Sequence, residues 1–361
     1  MSKIKSKNPS ISVLRVVGMI LVLLCHTINY YEFVPGSSFL PQVFSVGVNV
    51  FFMISGFLYG RKTITDFKSF IIERWKKLCL PAIIISSIYI ILLYILNVKV
   101  NLVTILMYMF NFQGLYFVTG YVNSILNYSF NEIGSLGPLW FISVIMVCYC
   151  LIPVFQKIRK SIDNKGLSHK IYSLIIVVLL LVFSVLSIKG YANITYFIVF
   201  YLGYILGSLN FSEKNLKISG YIMCSIITVA FQILRIYIRK VADGTSLYLT
   251  FVGFSQLILG VYLFISIFFL YKILPNVVEK CSKNKFVIWL DKKSMYIYMT
   301  HGLFCMSGYT NFNIYTNVDN IFISTILFVI FTLLSAVALN ILTDFFNNLF
   351  FRKNKLSKHL Q

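Results

Sequence analysis

"ISVLRVVGMILVLLCHTINYY", residues 11–31, reads as a helix that crosses a membrane. Its residues are mostly apolar, and the run approaches the ~20 residues that a bilayer requires. Two side chains do not suit that setting. Arg15 stands near the start, and His26 lies eleven positions further on. Eleven residues at ~100° each overshoot three full turns by only about 20°, so both side chains leave the same face of the helix. Along the axis they are roughly 16 Å apart.

The rest of the chain also belongs in a membrane. Of its 361 residues, 58% are hydrophobic and 12% are charged, and the mean hydropathy is +0.83. So few charges cannot cover a water-soluble surface. Ten spans can be read, at 11–30, 43–60, 79–97, 138–155, 171–188, 191–209, 218–238, 247–271, 293–310 and 321–350. The expected fold is therefore all-α: a polytopic membrane helix bundle of about ten transmembrane helices, forming one integral-membrane domain over residues 1–361. An even number of spans puts both termini on one side. That side collects 26 of the 32 Lys and Arg residues and the opposite side five, with Arg15 inside the first span. Loops rich in Lys and Arg stay in the cytoplasm. Both termini are therefore expected there, in a multi-pass protein of the cell membrane. Bulky residues follow the first apolar run, so it reads as a retained span and not as a cleaved signal. Topology accounts for the net charge of +21. The bilayer is the expected partner, and no nucleic acid is.

Seven cysteines lie mostly in apolar segments, and none shows a CxxC spacing. They read as small buried hydrophobes, and no metal site is expected. Segment 98–137 is unlike the short basic loops. It holds Tyr108, Phe110, Phe112, Tyr116, Phe117, Tyr121, Tyr128 and Phe130 with almost no charge. An interfacial or re-entrant helix, a sugar-facing lid and an aromatic belt at the membrane surface all fit that composition. Gly203 and Gly207 form a small-xxx-small pair, a signature of close helix packing.

Ionisable groups inside spans are costly and usually face the bundle interior or a wet cavity. Arg15 has two readings: a head group snorkelling to the membrane surface, or a planar fork for a phosphate. His26 also has two: an imidazole bonded to a neighbour, or a general base for a hydroxyl. Their shared face suits a long ligand, with its anionic end at Arg15 and its reactive end near His26. Arg235, Arg239 and Lys240 run against the charge bias. Snorkelling explains them, as does contact with an acidic or pyrophosphate-linked glycan.

Five stretches, in chain order, resemble the bacterial integral-membrane O-acyltransferases of acyltransferase family 3. Arg15, ten residues and His26 match the family's first-helix signature. "SVGVNVFFMISGFLYG" (45–60) is similar to its Gly-Val-x-x-Phe-Phe-x-x-Ser-Gly-Phe-Leu stretch. "RWKKLCLP" (74–81) resembles a basic Arg-x-x-Arg run before a proline. "GPLWFISVIMVCY" (137–149) and "SMYIYMTHGLF" (294–304) resemble a Leu-Trp-Phe entry and a late Tyr-x-x-x-x-His element. The resemblance implies acyl transfer, most often of acetyl, from a cytoplasmic acyl-CoA to a hydroxyl of a glycan or lipid-linked sugar. Acetyl-CoA would be a donor substrate, and no cofactor would be permanently bound. It implies His26 and Arg15 as catalytic residues and Arg15, Arg74 and Lys77 as donor contacts. His301, Ser55, Tyr296 and Trp140 would meet substrate or support the site. Two positions depart from the pattern. Lys77 replaces a second arginine, keeping charge but losing the bidentate fork, and Asn49 stands where many relatives carry aspartate. The bare transmembrane form, without a fused esterase-like domain, is expected. A transporter or flippase for a polysaccharide or lipid-linked sugar remains the alternative, although no repeated halves with broken helices are evident.

Overall fold

The computed structural model describes residues 8–33, 39–115, 133–163, 195–213, 216–242, 244–306 and 312–351, with isolated positions at 118, 175, 178 and 182. All regular structure among them is helical. Among the described residues six helices are long and apolar enough to cross a membrane: Pro9–Tyr30, Leu40–Gly60, Phe67–Ile95, Ile218–Ala242, Phe251–Ile273 and Ile321–Phe351. A seventh follows if the bent pair Gly134–Cys150 and Ile152–Ile162 is one crossing. The described residues are thus all-helical and of membrane type. Three of the ten expected spans take another form. The one at 138–155 is the bent pair, and that at 191–209 is the shorter helix Tyr196–Ser208. The one at 293–310 breaks at His301 into two helices. The span expected at 171–188 lies outside the described residues apart from three isolated positions.

Seven helices position the residues of interest: α1 (Pro9–Thr27), α2 (Val46–Gly60), α3 (Phe67–Ile95), α4 (Thr195–Ser208), α5 (Ile218–Ala242), α6 (Ser246–Ile273) and α7 (Lys285–Thr300). They belong to two compact units. The first comprises Met1–Thr65 and Cys150–Lys292, the second Asp66–Tyr149 and Lys293–Gln361.

In the first unit, α1 starts where the Asn8 side chain accepts the Ser10 N–H at 2.9 Å and Pro9 occupies the first turn. An Asn cap followed by Pro satisfies one free donor and supplies a residue that needs none. α1 then packs on α2 at the closest possible approach. A Cβ on Gly47 would collide with the Gly18 carbonyl, so only glycine fits there. The tight packing expected of Gly203 and Gly207 is also found. Gly203 lies against the Met53 backbone and Gly207 against that of Phe57, which locks α4 to α2.

In the second unit, α3 begins twelve residues before the expected span start at 79. Asp66 caps it, accepting the Ser69 N–H at 3.0 Å, and strong helix formers follow. Arg74 and Lys77 therefore lie on the helix itself and not in a loop. Pro81 continues the helix without an N–H, which deprives the Lys77 carbonyl of its usual donor. The 3-10 turn Gly134–Leu139 forms a polar knot in this unit. Tyr89 donates to Ser135 Oγ at 3.0 Å and Tyr298 to the Pro138 carbonyl at 2.8 Å. Segment 98–137 contains a helix, Leu102–Met109, whose Tyr108 is fully buried and receives the Ile133 N–H at 3.1 Å. Tyr108 is thus a core residue and not part of a surface belt. Tyr116, Phe117, Tyr121, Tyr128 and Phe130 lie outside the described residues.

Candidate active site

α1 is uninterrupted from Pro9 to Thr27, so the helical period that aligns Arg15 with His26 holds along its whole length. Arg15 has a partner that the sequence reading did not foresee. Its Nη1 lies 3.2 Å from Oδ1 of Asp291, on α7 in the same unit. The Asp291 side chain is 3% exposed and that of Arg15 is 26% exposed. A carboxylate this deep needs a cation, and the pair lowers the cost of burying both charges. One carboxylate oxygen engages one of the five guanidinium N–H groups, which leaves the arginine donors for a second oxyanion.

His26 occupies the last turn of α1 and is half-buried. The neighbouring Cys25 thiol donates to the Pro41 carbonyl at 3.2 Å, which ties this end of α1 to the chain leading into α2. Ser55 is half-buried on α2. Asn49, buried on α2, donates from Nδ2 to the Gln256 carbonyl at 3.0 Å. An aspartate could not make that bond, since a carboxylate only accepts. The amide thus links α2 to α6 without placing a charge between them.

The first unit also holds a basic groove of about 540 Å³ lined by Lys62, Lys157, Arg159 and Lys160 with Gln156 and Tyr204. Arg159 Nη1 donates to the Gly60 carbonyl at 2.7 Å, which brings the two chain segments together. Both segments are basic in the sequence, and the fold makes them neighbours.

Arg74, Lys77, Trp140, Tyr296 and His301 belong to the second unit. Arg74 pairs loosely with Glu73 at 3.7 Å and lies over the Phe70 ring at 5.7 Å. Lys77 is exposed three residues on, on the same side of α3. Lys76 instead packs its ammonium on the Phe351 ring at 3.8 Å. Trp140 is half-buried where its helix begins, beside a turn fixed by two bonds. Gln113 Nε2 donates to the Leu139 carbonyl, and the Gly114 N–H to Ser143 Oγ, both at 3.2 Å. His301 is fully buried at the break after α7, with Nδ1 2.6 Å from the Tyr298 carbonyl. A carbonyl only accepts, so Nδ1 carries the hydrogen and Nε2 is the basic nitrogen of the neutral ring. Tyr296 is half-buried with its ring 5.9 Å from the Lys293 ammonium.

No curated protein and no solved structure matches the chain. A family model does: that of the acyltransferase family 3 domain matches residues 8–344. The chain, with its apolar helices and its arginine and histidine aligned on the first of them, belongs to acyltransferase family 3 and is a membrane acyltransferase.

Proposed function

We propose that the protein is an O-acyltransferase of the cell membrane. It takes an acyl group, acetyl in the first instance, from acyl-CoA on the cytoplasmic side. The acceptor is a hydroxyl of a cell-envelope glycan or lipid-linked sugar. Both termini face the cytoplasm, following the asymmetry of Lys and Arg among the loops. The observation that carries the reading is the pairing of Arg15 and His26 on one unbroken helix, with Arg15 held in place by Asp291.

His26 accepts the proton of the acceptor hydroxyl as its oxygen attacks the thioester carbonyl carbon. The carbon–sulfur bond then breaks, CoA leaves as thiolate, and the imidazolium returns the proton to sulfur. An alcohol and a thioester become an ester and a thiol, so no further reactant is needed. A neutral imidazole suits this because it exchanges protons near neutral pH. Arg15 is assigned to the donor phosphates, for which its planar fork is suited. Arg74 and Lys77 are assigned the same class of contact, as donors to CoA phosphate. His301, Ser55, Tyr296 and Trp140 are assigned to the acceptor or to support of the site. The donor is consumed in each turnover, and no permanently held cofactor is invoked.

The test uses the full-length protein in liposomes with radiolabelled acetyl-CoA and envelope glycan. Label is expected to enter the glycan as an ester and to be absent with His26→Ala, which still inserts and folds. Movement of glycan across the bilayer without label transfer would replace this reading with transport.

A further inference from the structure

Arg235 on α5 is the largest fully buried side chain in the described structure, at 0% exposure. Its Nη1 donates to Ser255 Oγ at 3.2 Å and reaches the Gln42 carbonyl at 3.5 Å. Its Nε and Nη2 have no hydrogen-bond partner, and among the described residues no carboxylate pairs with it. A permanent cation in that state is expensive, because neither water nor a counter-charge replaces its hydration. The hydrogen-bonding side chains around it are neutral. Tyr248 donates to Gln42 Oε1 at 3.0 Å, and Gln256 donates to Ser45 Oγ at 2.8 Å. Arg239, one turn further along α5, adds a second positive charge on the same side. The surroundings thus satisfy almost everything except the guanidinium.

A second feature adjoins it. Phe231 lies one turn before Arg235 on the same face of α5, and Phe254 immediately precedes the Ser255 that bonds the guanidinium. Both line a crevice of about 420 Å³ walled only by apolar side chains, Met53, Leu206, Leu257 and Ile258 among them. An apolar crevice whose wall includes Phe231, one helical turn from a cation with two nitrogens lacking hydrogen bonds, matches one kind of molecule. The guanidinium presents two nitrogens, with three N–H donors, free of hydrogen bonds, which suits a phosphate, and the crevice suits a hydrocarbon chain.

We propose that this part of the first unit seats a phosphate carried on an apolar chain, the phosphate on Arg235 and the chain along the crevice. In this structure the seat is closed. The half-buried Phe39 ring lies over the guanidinium at 4.7 Å, and an entering phosphate would take the place of that contact. The seat is also linked to the His26 end of α1. Cys25 bonds Pro41, and the next residue, Gln42, meets Arg235. That the tailed phosphate belongs to the acceptor, presenting its sugar to His26, rests on the acyl-transfer reading above.

The test is binding to the full-length protein in phosphatidylcholine nanodiscs, using farnesyl phosphate, farnesol and inorganic phosphate as probes. Farnesyl phosphate is expected to bind saturably and about tenfold or more tighter than either part alone. Arg235→Gln should erase the preference for farnesyl phosphate over farnesol, and Arg235→Lys should keep part of it. Ile258→Phe, which narrows the crevice, should weaken both tailed probes equally. Because the cation is unpartnered when empty, Arg235→Met should raise the melting temperature of the ligand-free protein. Equal binding of phosphate and alcohol, or equal binding by wild type and Arg235→Gln, overturns the proposal. So does a lowered melting temperature in Arg235→Met with the preference intact in Arg235→Gln. Displacement by phosphatidylglycerol would assign the seat to a bilayer phospholipid; resistance to it would assign a single-chain lipid phosphate. Radiolabelled acetyl-CoA turnover is measured in parallel. Its absence with binding intact removes the acyl-transfer reading and leaves the phosphate seat standing.

Discussion

Arg15 and Arg235 sit on two apolar helices of the same unit, and their surroundings treat them oppositely. Arg15 is a quarter exposed and has a carboxylate at 3.2 Å. Arg235 is fully buried with no carboxylate partner among the described residues and with two nitrogens lacking a hydrogen bond. The first is a charge made affordable by a partner in the fold. The second leaves its partner to be supplied. The carboxylate holds Arg15 in place and leaves it donors for a ligand, whereas Arg235 lacks any carboxylate among the described residues.

Mutation can break or sharpen that contrast. The largest effect is expected at His26, on the face that Arg15 shares. His26→Ala should lower label transfer by roughly a hundredfold or more while leaving the melting temperature near wild type. A full-rate His26→Ala enzyme would detach Arg15 from any chemistry at that end. Next comes the anchor itself. Asp291→Ala strands the Arg15 charge and should cost about 2 kcal/mol, less than a fully buried pair because Arg15 reaches solvent. The double change Arg15→Met with Asp291→Leu should recover most of that loss in chemical unfolding. If Asp291→Ala and Arg235→Met shift the melting temperature in the same direction, the contrast between the two arginines fails.

A smaller loss, about 1–2 kcal/mol, is expected from Gly47→Ala, since the added methyl must displace the α1 backbone. Its activity should fall more than its stability, because α1 carries both Arg15 and His26. The smallest effect concerns Asp66 at the start of α3. Hydrogen bonds from the Ser69 side chain and backbone hold its carboxyl below the ordinary value of 3.8. Its contribution is therefore present in full above the unfolded value and fades as pH falls through the lower folded one. Ser69→Ala should lower neutral-pH stability slightly and leave low-pH stability unchanged, which blunts the acid dependence in a thermal-shift series.

The parts of the molecule that were legible in the sequence are those governed by local pattern. Long apolar windows give the six long helices, and the helical period alone aligns Arg15 with His26. Gly203 and Gly207 announced their packing through spacing. Asp291 was hidden for a different reason. It lies 276 residues from Arg15, and "WLDKK" reads as one more basic loop, so nothing local marks its carboxylate as buried. The start of α3 is not legible from hydropathy because its first turns carry charge. Helix propensity and the Asp66 cap extend the helix where hydropathy falls off. His301 was placed inside a continuous span, yet the helix breaks at that residue, where Gly302 must fit against Ser135 and Pro138. Arg235 was noticed as a charge on the wrong side. Whether it snorkelled or was enclosed depended on helix packing, which no local pattern encodes.

The contact of Gly18 with Gly47 has a kinetic implication. It falls between Arg15 and His26 and brings backbone directly onto backbone, with no side chain to act as a cushion. Side chains can change rotamer to absorb a sliding helix; two peptide planes in contact cannot. α1 is therefore clamped to α2 at its midpoint, and the span from Arg15 to His26 behaves as a rigid gauge through the working cycle. Whatever opens and closes to let substrates pass must move around this fixed rod.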